Sequence, residues 1–325
     1  MRIVDVTAPG GPENLTIAEA PVPTAGPGEL VIAVTAAGIN RADLLQRQGF
    51  YPPPPGASEV IGLEVSGHVH EIGDGVTGWT VGDPCVALLA GGGYAEYVAL
   101  PAGQAIAPPP GIDLITAAGV IEVAATVASN FEHVRLSEGE TVLIHGGAGG
   151  IGTFAIQYAR ALGARVLTTA GSPAKLELCR SLGADVAIDY HDDWPAAVRA
   201  ATDGRGVDVI LDVMGAKYLE PNVAALAPDG RLVVIGLLGG RKGTLDLNRL
   251  LTKRATVTAT SLRGRPVEQK AAIARSVAER VWPLIASGQI KPAPETRFPL
   301  EQVAEAHRYL ESGEHTGKVI LVVRD

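Results

Sequence analysis

The sequence predicts an α/β protein with two parts, a doubly wound parallel sheet and a smaller, twisted, mostly antiparallel β-barrel. Two observations support this prediction. Between about residues 116 and 288, strand-like runs alternate with helix-like runs, as they do in βαβ units. In the first 110 residues, short alternating segments are separated by Gly/Pro turns instead. We therefore expect a sheet domain over 116–288 and a barrel domain over 1–115 that is completed by 289–325.

The individual elements follow from local pattern. The barrel strands are expected in ELVIAVTAAG, SGHVHEIG, DPCVALLA and YAEYVAL. The strands of the parallel sheet are expected in TVLIHG, RVLTTA, DVAIDY, VDVILDV, RLVVIG and ATVTATS. The C-terminal segment contains a helix-like LEQVAEAHRYLESG and a strand-like GKVILVV. Six strands already complete a doubly wound sheet, so we assign this segment to the barrel.

Composition restricts the class of protein and its partners. The chain has 325 residues, of which 46% are hydrophobic and 19% charged, as in an ordinary globular protein. A formal net charge of −8 and a pI near 5.4 argue against nucleic acid or an anionic membrane as a partner. The sequence shows neither a signal-peptide core nor a membrane-spanning apolar run, so we expect a cytoplasmic protein. Cys85 and Cys179 are far apart and form no CxxC motif, which argues against a disulfide scaffold or a cysteine-rich zinc site.

A cluster of glycines in VLIHGGAGGIG, residues 142–152, lies between a predicted strand and a predicted helix. In that context a GxGxxG pattern lets backbone N–H groups and a helix N-terminus face a pyrophosphate. The alternative is a plain strand-to-helix turn. The pattern favours a dinucleotide site whose contacts are Gly147, Gly149, Gly150, Ile151 and Gly152.

The end of the second strand of the sheet indicates which dinucleotide binds. An NAD site places Asp or Glu there, but this chain has Gly171 and Ser172. Lys175 falls in the first turn of the next helix, where the helix dipole disfavours a cation unless an anion is bound. A 2′-phosphate contacted by Ser172, Lys175 and Tyr190 accounts for this pattern and predicts NADPH. The alternatives are a solvated surface lysine and a sheet-edge aromatic at Tyr190.

Several longer motifs resemble one family. NRADLLQRQGFYPPPPGASEVIGLEVSGHV, GGGYAEYV, the glycine turn and GLLGG together resemble the zinc-free quinone oxidoreductases of the medium-chain dehydrogenase/reductase superfamily. The resemblance is strongest to the branch of zeta-crystallin-like and tumour-suppressor-inducible NADPH quinone reductases, and it covers nearly the whole chain. It implies a GroES-like barrel, a Rossmann domain, an active site in the cleft between them, and a homodimer.

The resemblance also indicates that no metal is bound. Zinc-dependent members of the superfamily carry a ligand cysteine at the position of Asn40 and a ligand histidine at the position of Leu63. Asparagine is a poor zinc ligand and leucine is none, so a tetrahedral catalytic site cannot form. The four-cysteine loop of a structural zinc site is absent as well. We interpret Glu64 and Glu122 as hydrogen-bond acceptors rather than metal ligands.

The resemblance assigns roles to three residues near the substrate. Asn40 and Tyr51 line the cleft, and Asp43 steadies the segment around Asn40. The Asn40 amide can donate a hydrogen bond to a carbonyl oxygen, and Tyr51 can donate or stack on a flat ring. The alternatives are a simple turn residue at Asn40 and a helix N-cap at Asp43.

Further cofactor contacts follow from the same resemblance. Thr126 matches a threonine near the nicotinamide carboxamide, and Gly236 and Gly239 allow the backbone to approach the cofactor. Arg263 or Arg265 could reach the phosphates. The choice between the two arginines stays open, because the SLRGR loop is a residue shorter than in close relatives.

These residues predict an NADPH:quinone oxidoreductase whose substrate is a quinone or another electrophilic small molecule. Without a metal, hydride transfer suits a quinone, because its developing phenolate needs little activation. Two other functions remain open: reduction of an activated C=C bond, as in enoyl-thioester reductases, and NADPH binding with little turnover.

One departure from the family concerns substrate size. Ala124, Ala125 and Ala128 stand where relatives carry aromatic side chains. We interpret this loss of rings as space for bulky acceptors such as polycyclic ortho-quinones. The alternative is that the core has simply repacked.

Overall fold

The computed structural model describes residues 1–324. Its strands are β1 (Arg2–Val6), β2 (Leu15–Glu19), β3 (Glu29–Ile39), β4 (Glu64–Ile72), β5 (Pro84–Leu88), β6 (Tyr97–Pro101), β7 (Ala105–Ile106), β8 (Thr141–His145), β9 (Arg165–Ala170), β10 (Val186–Asp189), β11 (Val207–Asp212), β12 (Leu226–Val234), β13 (Thr256–Ala259), β14 (Glu295–Pro299) and β15 (Lys318–Val322). Its α-helices are α1 (Arg41–Arg47), α2 (Leu114–Ala117), α3 (Ile121–His133), α4 (Gly150–Ala161), α5 (Pro173–Ser181), α6 (Trp194–Ala201), α7 (Ala216–Ala225), α8 (Leu247–Lys253), α9 (Val267–Arg280), α10 (Trp282–Ala286) and α11 (Val303–Ser312). Short 3₁₀ turns occur at Pro12–Asn14, Ala102–Gln104 and Leu300–Gln302.

Along residues 1–324, no helix combines the length and the apolar character needed to cross a membrane.

Strands β8 to β13 form a parallel sheet in the order β10-β9-β8-β11-β12-β13. Counted along the chain, this is the order 3-2-1-4-5-6 of a doubly wound dinucleotide-binding sheet. The central strands β8 and β11 are buried along their whole length, as parallel strands in such a sheet are. All six strands predicted for this sheet are present, which confirms the predicted fold class.

The helices around the first two strands begin and end at the residues that the sequence signals indicate. Helix α4 starts after Gly149 and stops before Gly163, whose φ of 80° is the left-handed conformation that ends helices. Helix α5 has Ser172 as its N-cap and a proline in its first position, and Gly183 lies beyond its end with a φ of 105°.

The other large sheet has the order β14-β15-β3-β4-β5-β7, with β6 also paired to β3. Its pairs are antiparallel except β14 with β15. Its core includes Leu30, Ile32, Val65 and Leu321. Strand β15 pairs with β3, which agrees with assigning the C-terminal segment to the antiparallel domain. Strands β1 and β2 form a separate antiparallel pair.

The chain forms two compact units. The first unit comprises Met1–Ala125, Leu262–Gly288 and the residues from Pro292, and the second comprises Thr126–Ser261 with Gln289–Lys291. The predicted boundaries, 1–115 with 289–325 and 116–288, differ from these. Segment 262–288 joins the first unit because α9 packs on the 3₁₀ turn Ala102–Gln104 and on β7. Its amphipathic pattern predicts a helix but not the surface on which that helix packs.

Candidate active site

Asn40 lies in the first unit, between the end of β3 and the start of α1. Its backbone is extended, with φ −120° and ψ 155°. Its N–H donates to Asp43 Oδ2 at 2.7 Å, and the Asp43 N–H donates to the Asn40 carbonyl oxygen at 3.0 Å. Asn40 therefore occupies the N-cap position of α1, and Asp43 bonds back to it from the first turn.

The side chain of Asn40 contacts two buried charged groups. Its Nδ2 donates to Glu64 Oε1 at 2.9 Å, and its Oδ1 accepts from Lys318 Nζ at 2.9 Å. Lys318 Nζ also donates to Glu64 Oε1 at 2.6 Å. The second carboxylate oxygen of Glu64 accepts the N–H of Glu122 at 3.0 Å. Glu64 is thus a hydrogen-bond acceptor, as the sequence predicts.

A chain of hydrogen bonds continues from Asp43 away from Asn40. Tyr94 Oη donates to Asp43 Oδ2 at 3.0 Å and lies 3.3 Å from His307 Nε2, while His307 Nδ1 lies 3.2 Å from an Nη1 of Arg47. Arginine can only donate, so Nδ1 is the acceptor and Nε2 carries the imidazole proton. Arg47 in turn forms an ion pair with Glu311 at 2.5 Å. This network fixes the first turn of α1 and hence the Asn40 segment.

Burial shifts the pKa values along this network. It raises the pKa of Asp43 to about 7. Burial, with a contribution from Arg47, lowers the pKa of His307 to about 3 and keeps the ring neutral. It also raises the pKa of Tyr94 well above its usual value. Oδ1 of Asp43 is buried without a hydrogen-bond partner in the described chain, so the ionised carboxylate is poorly stabilised there.

Tyr51 and Arg263 are neighbours within the first unit. The buried Arg263 guanidinium donates to the carbonyl oxygens of Ala90 at 2.7 Å and Tyr51 at 3.1 Å, and to Gln46 Oε1 at 2.8 Å. Its central carbon lies 5.2 Å from the centre of the Tyr51 ring. Arg263 therefore fixes the start of the proline-rich stretch YPPPP, residues 51–55. Arg265 donates to Gln269 at 3.3 Å, and its buried Nε has no partner in residues 1–324. The predicted phosphate contact of either arginine remains a prediction.

The glycine turn lies in the second unit, at the carboxyl end of β8. Gly149 occupies the N-cap of α4, and no side chain caps this helix. A Cβ at Gly152 would overlap the carbonyl oxygen of Gly146, and one at Gly147 would lie 2.8 Å from Cys179 Sγ. At Gly149 the nearest atom would be 3.6 Å away. The fold itself thus requires glycine at 147 and 152 but leaves an open position at 149, next to the uncapped N–H groups around Gly150 and Ile151.

The residues predicted to bind the 2′-phosphate lie after β9 and β10. Ser172 Oγ accepts the N–H of Lys175 at 3.3 Å as the N-cap of α5. The Tyr190 hydroxyl lies over Gly171, where any Cβ would overlap it, and the Tyr190 side chain is 44% exposed. The structure therefore brings Gly171 and Tyr190 together beside the start of α5, in a region without a carboxylate at the end of β9.

The remaining predicted contacts of the second unit have structural explanations of their own. A Cβ at Gly236 would lie 2.7 Å from the Val213 carbonyl oxygen, and one at Gly239 would lie 2.7 Å from Lys217 Cβ. These glycines allow the segment after β12 to pack closely on the end of the β11–α7 connection and on the first turn of α7. Thr126 is buried in α3, and its carbonyl oxygen accepts from the side chain of Asn130 at 2.7 Å. A cofactor contact for these three residues remains a prediction.

Sequence reasoning missed Lys318, Tyr94, His307 and Arg47 as members of the site. Arg47 and Tyr94 lie in motifs that carry the family resemblance, but the resemblance assigns them no role. Lys318 and His307 lie in stretches whose pattern predicts only a strand and a helix. The one available signal is Lys318, a charged residue that opens the apolar strand GKVILVV. A lysine at a buried strand position requires a partner.

The residues at Asn40 do not fit a zinc ion. Leu63 offers no ligand atom, and the oxygens of Asn40 and Glu64 already accept hydrogen bonds from Lys318, whose charge would repel a second cation. In the described part of the chain, no group of three or more His, Cys, Asp or Glu side chains could hold a metal ion.

A doubly wound sheet with an uncapped glycine turn, together with an antiparallel domain, is an architecture found among two-domain dehydrogenases and reductases. Comparison with known proteins agrees. Residues 26–111 match the alcohol dehydrogenase GroES-like domain, and residues 150–278 match the zinc-binding dehydrogenase family. The chain is 33% identical to a quinone oxidoreductase of Pseudomonas aeruginosa over 98% of both proteins. It belongs to the medium-chain dehydrogenase/reductase superfamily.

Other relatives differ in length and in chemistry. The chain is 35% identical to a phthioceranic/hydroxyphthioceranic acid synthase of Mycobacterium bovis over 99% of its own length, but it spans only 15% of that protein. The structure of Escherichia coli quinone oxidoreductase complexed with NADPH has a TM-score of 0.91 and 29% identity, covering 99% of this chain and all of that one. The CurK enoyl reductase has a TM-score of 0.87 and 27% identity, covering 99% and 98% of the two chains.

Proposed function

We propose that this chain is an NADPH-dependent quinone reductase that transfers hydride without a metal. One observation carries the proposal. Where zinc-dependent relatives would hold their metal, the Asn40 amide is bonded to Glu64 and Lys318, and a hydrogen-bond donor takes the place of a Lewis acid. The likeness to quinone oxidoreductases supports the same acceptor class.

The second unit would bind the cofactor. NADPH supplies the hydride when it is bound. The N–H groups at the start of α4 would hold its pyrophosphate, and the open position at Gly149 would let a phosphate oxygen approach the backbone. Ser172, Lys175 and Tyr190 would contact the 2′-phosphate. The absence of an acidic side chain at the end of β9 removes the group that would repel this phosphate.

In the first unit, Asn40 would act on the acceptor. As hydride arrives, negative charge develops on a quinone oxygen, and an amide N–H aimed at that oxygen stabilises it. The product phenolate then takes a proton from solvent, because the pKa of a phenol, about 10, lies above neutral pH. Tyr51, whose ring lies against the Arg263 guanidinium, would pack on the flat acceptor. Positioning would supply most of the catalysis.

The likeness to CurK favours a second candidate, reduction of a C=C bond conjugated to a thioester. That reaction adds hydride to the β-carbon and a proton to the α-carbon. Tyr51 would then have to be a proton donor rather than a packing surface. Tyr51→Phe separates the two candidates, because quinone reduction should keep most of its rate whereas thioester reduction should lose it.

The size of the acceptor is part of the proposal. Ala124 and Ala125 are fully buried, whereas Ala128 is partly exposed. If the lost rings create room for substrate, Ala128→Phe should lower the rate with polycyclic ortho-quinones and leave the rate with a small quinone unchanged. If Ala128→Phe changes the rate by the same factor with both acceptors, these alanines belong to core packing and do not set the size of the substrate.

The test is the rate of NADPH oxidation with a small quinone, a polycyclic ortho-quinone and an α,β-unsaturated thioester, with NADH as the cofactor control. Preference for NADPH and a quinone supports the proposal. Turnover of the thioester alone would transfer the chain to the enoyl reductases. Tight NADPH binding without turnover of any acceptor would identify a binding protein.

A further inference from the structure

Lys318 and Glu64 form a buried ion pair that the proposed hydride transfer does not use directly. Their side chains are 6% and 0% exposed, and Lys318 Nζ lies 2.6 Å from Glu64 Oε1. Two buried charges are costly to desolvate, and an apolar pair of similar volume is often at least as stable. Stability therefore does not explain the pair, which points to a role in the neighbouring site.

The backbone leaves room for both side chains. Any Cβ at Gly38 would overlap Glu64 Oε1 and would lie 2.8 Å from the Ala118 carbonyl oxygen. A Cβ at Gly119 would lie 3.2 Å from Lys318 Cε. Larger residues at 38 and 119 would push the carboxylate and the ammonium group out of place. Two glycines from different segments thus accommodate the same ion pair.

The pair determines which way the Asn40 amide faces. Lysine can only donate and a carboxylate can only accept, so Asn40 must turn Oδ1 to Lys318 and Nδ2 to Glu64. A flipped amide would place N–H groups against the ammonium and an oxygen against the carboxylate. The three N–H groups of Lys318 are all committed, since the third donates to the Ile39 carbonyl oxygen at 3.4 Å.

One N–H of Asn40 Nδ2 then remains. It has no partner within residues 1–324, and Asn40 is partly exposed. The hydrogen bond from Lys318 to Oδ1 polarises the amide and makes this N–H a stronger donor, because hydrogen bonds in a chain reinforce one another. We propose that Lys318 and Glu64 are positioning residues that lock the Asn40 amide so that this N–H donates to the acceptor oxygen. This inference rests on the proposed function.

The test is a double-mutant cycle in kcat on Asn40→Ala and Lys318→Met, run with whichever acceptor the wild-type chain reduces. Each single variant should lower kcat roughly 10- to 100-fold, and the double variant should be no slower than the slower single variant. This result is expected because both substitutions remove the same N–H from the acceptor. Losses that multiply in the double variant would overturn the inference, since Lys318 would then act independently of Asn40.

Three controls separate positioning from folding. Lys318→Arg keeps a donating cation and should restore most of kcat. Lys270→Met removes another buried lysine of the first unit and should change kcat by less than about twofold, because no hydrogen bond to Asn40 or Glu64 is lost. The Kd for NADPH should be equal in all variants, because the substitutions leave the glycine turn untouched. Loss of NADPH binding in Lys318→Met together with failed rescue by Lys318→Arg would indicate a structural role and contradict the proposal.

A readout without turnover keeps the inference separate from the proposed function. In ¹⁵N-asparagine-labelled protein, the Asn40 side-chain signals are identified by their loss in Asn40→Ala. The two Nδ2 protons should have well-separated chemical shifts, and one of them should be protected from hydrogen exchange. In Lys318→Met the two shifts and the two exchange rates should become similar. Unchanged signals would overturn the inference even if quinone is reduced. Collapse of the difference without quinone turnover would sustain the inference and reject the proposed acceptor.

Discussion

The surroundings of Asn40 and the glycine turn are two candidate binding regions built in opposite ways. The first uses buried charged side chains from distant parts of the chain, with Asn40 and Lys318 separated by 278 positions. The second uses backbone groups within residues 145–152 and holds no charged side chain. Backbone donors at a helix N-terminus suit any phosphate, whereas an oriented amide suits one particular acceptor atom. In the proposed function, cofactor binding therefore depends on local backbone shape, and the chemistry depends on side chains brought together from distant parts of the chain.

The largest expected effect tests the backbone half of this comparison. Gly152→Ala should lower the free energy of unfolding of the second unit by about 3 kcal/mol or more, because its Cβ would overlap the backbone of Gly146 and lie 2.5 Å from Gly147 Cα. Gly149→Ala is the matched control. It should unfold like the wild type in urea but bind NADPH roughly tenfold more weakly, a cost of about 1.4 kcal/mol. Equal stability of Gly152→Ala and wild type would contradict the account of the turn.

A smaller effect tests the buried charges of the first unit. Burial raises the pKa of Asp43 to about 7, so between pH 4 and 7 the native carboxyl binds a proton that the unfolded chain has released. Stability from this group is therefore present at low pH and is lost as pH rises through 7. From pH 5 to 8 the wild type should lose roughly 2.5 kcal/mol more than Asp43→Asn. Urea unfolding at both pH values gives the free energy of unfolding of each protein. If this free energy changes with pH by the same amount in wild type and in Asp43→Asn, Asp43 is not the source of the pH dependence.

A further test concerns the proposed cofactor site and asks whether Lys175 contacts the 2′-phosphate of NADPH. Lys175→Ala should weaken NADPH binding roughly tenfold, because one charge-assisted contact to the 2′-phosphate is lost, and it should leave NADH binding unchanged. Arg165→Ala serves as the control, since this exposed cation lies at the opposite end of β9. Fluorescence titration with both cofactors gives the two Kd values. Equal weakening of NADPH and NADH would remove Lys175 from the phosphate site.

The smallest expected effect concerns metal. Dialysis against a strong chelator, followed by assay with and without added zinc, should leave kcat with a quinone unchanged. The reason is that the oxygens of Asn40 and Glu64 already accept from Lys318. If activity is lost on chelation and recovers with zinc, the Lys318–Glu64 pair opens to admit a metal. The account of Asn40 as a metal-free site would then be wrong.

The same contrast explains what the sequence could predict. All six parallel strands, the ends of α4 and α5, and the glycine turn follow from signals within a few residues, and the structure has each of them. The Asn-x-x-Asp spacing of Asn40 and Asp43 is a local signal for a helix start, but it does not indicate a role at the substrate, which comes only from the resemblance. The contacts of Lys318 and His307 could not be predicted from the sequence. Their partners lie far away along the chain and come close only when β15 and α11 pack in the fold. The assignment of α9 to the first unit escaped for the same reason.

The central claim is that an oriented amide at Asn40 replaces a metal in the proposed reaction. The most direct measurement is kcat for NADPH-dependent quinone reduction in wild type and in Asn40→Asp, which keeps the shape of the side chain but removes its N–H donors. The account predicts that kcat falls roughly 10- to 100-fold in the variant while the Kd for NADPH stays the same. An unchanged kcat in Asn40→Asp would contradict it.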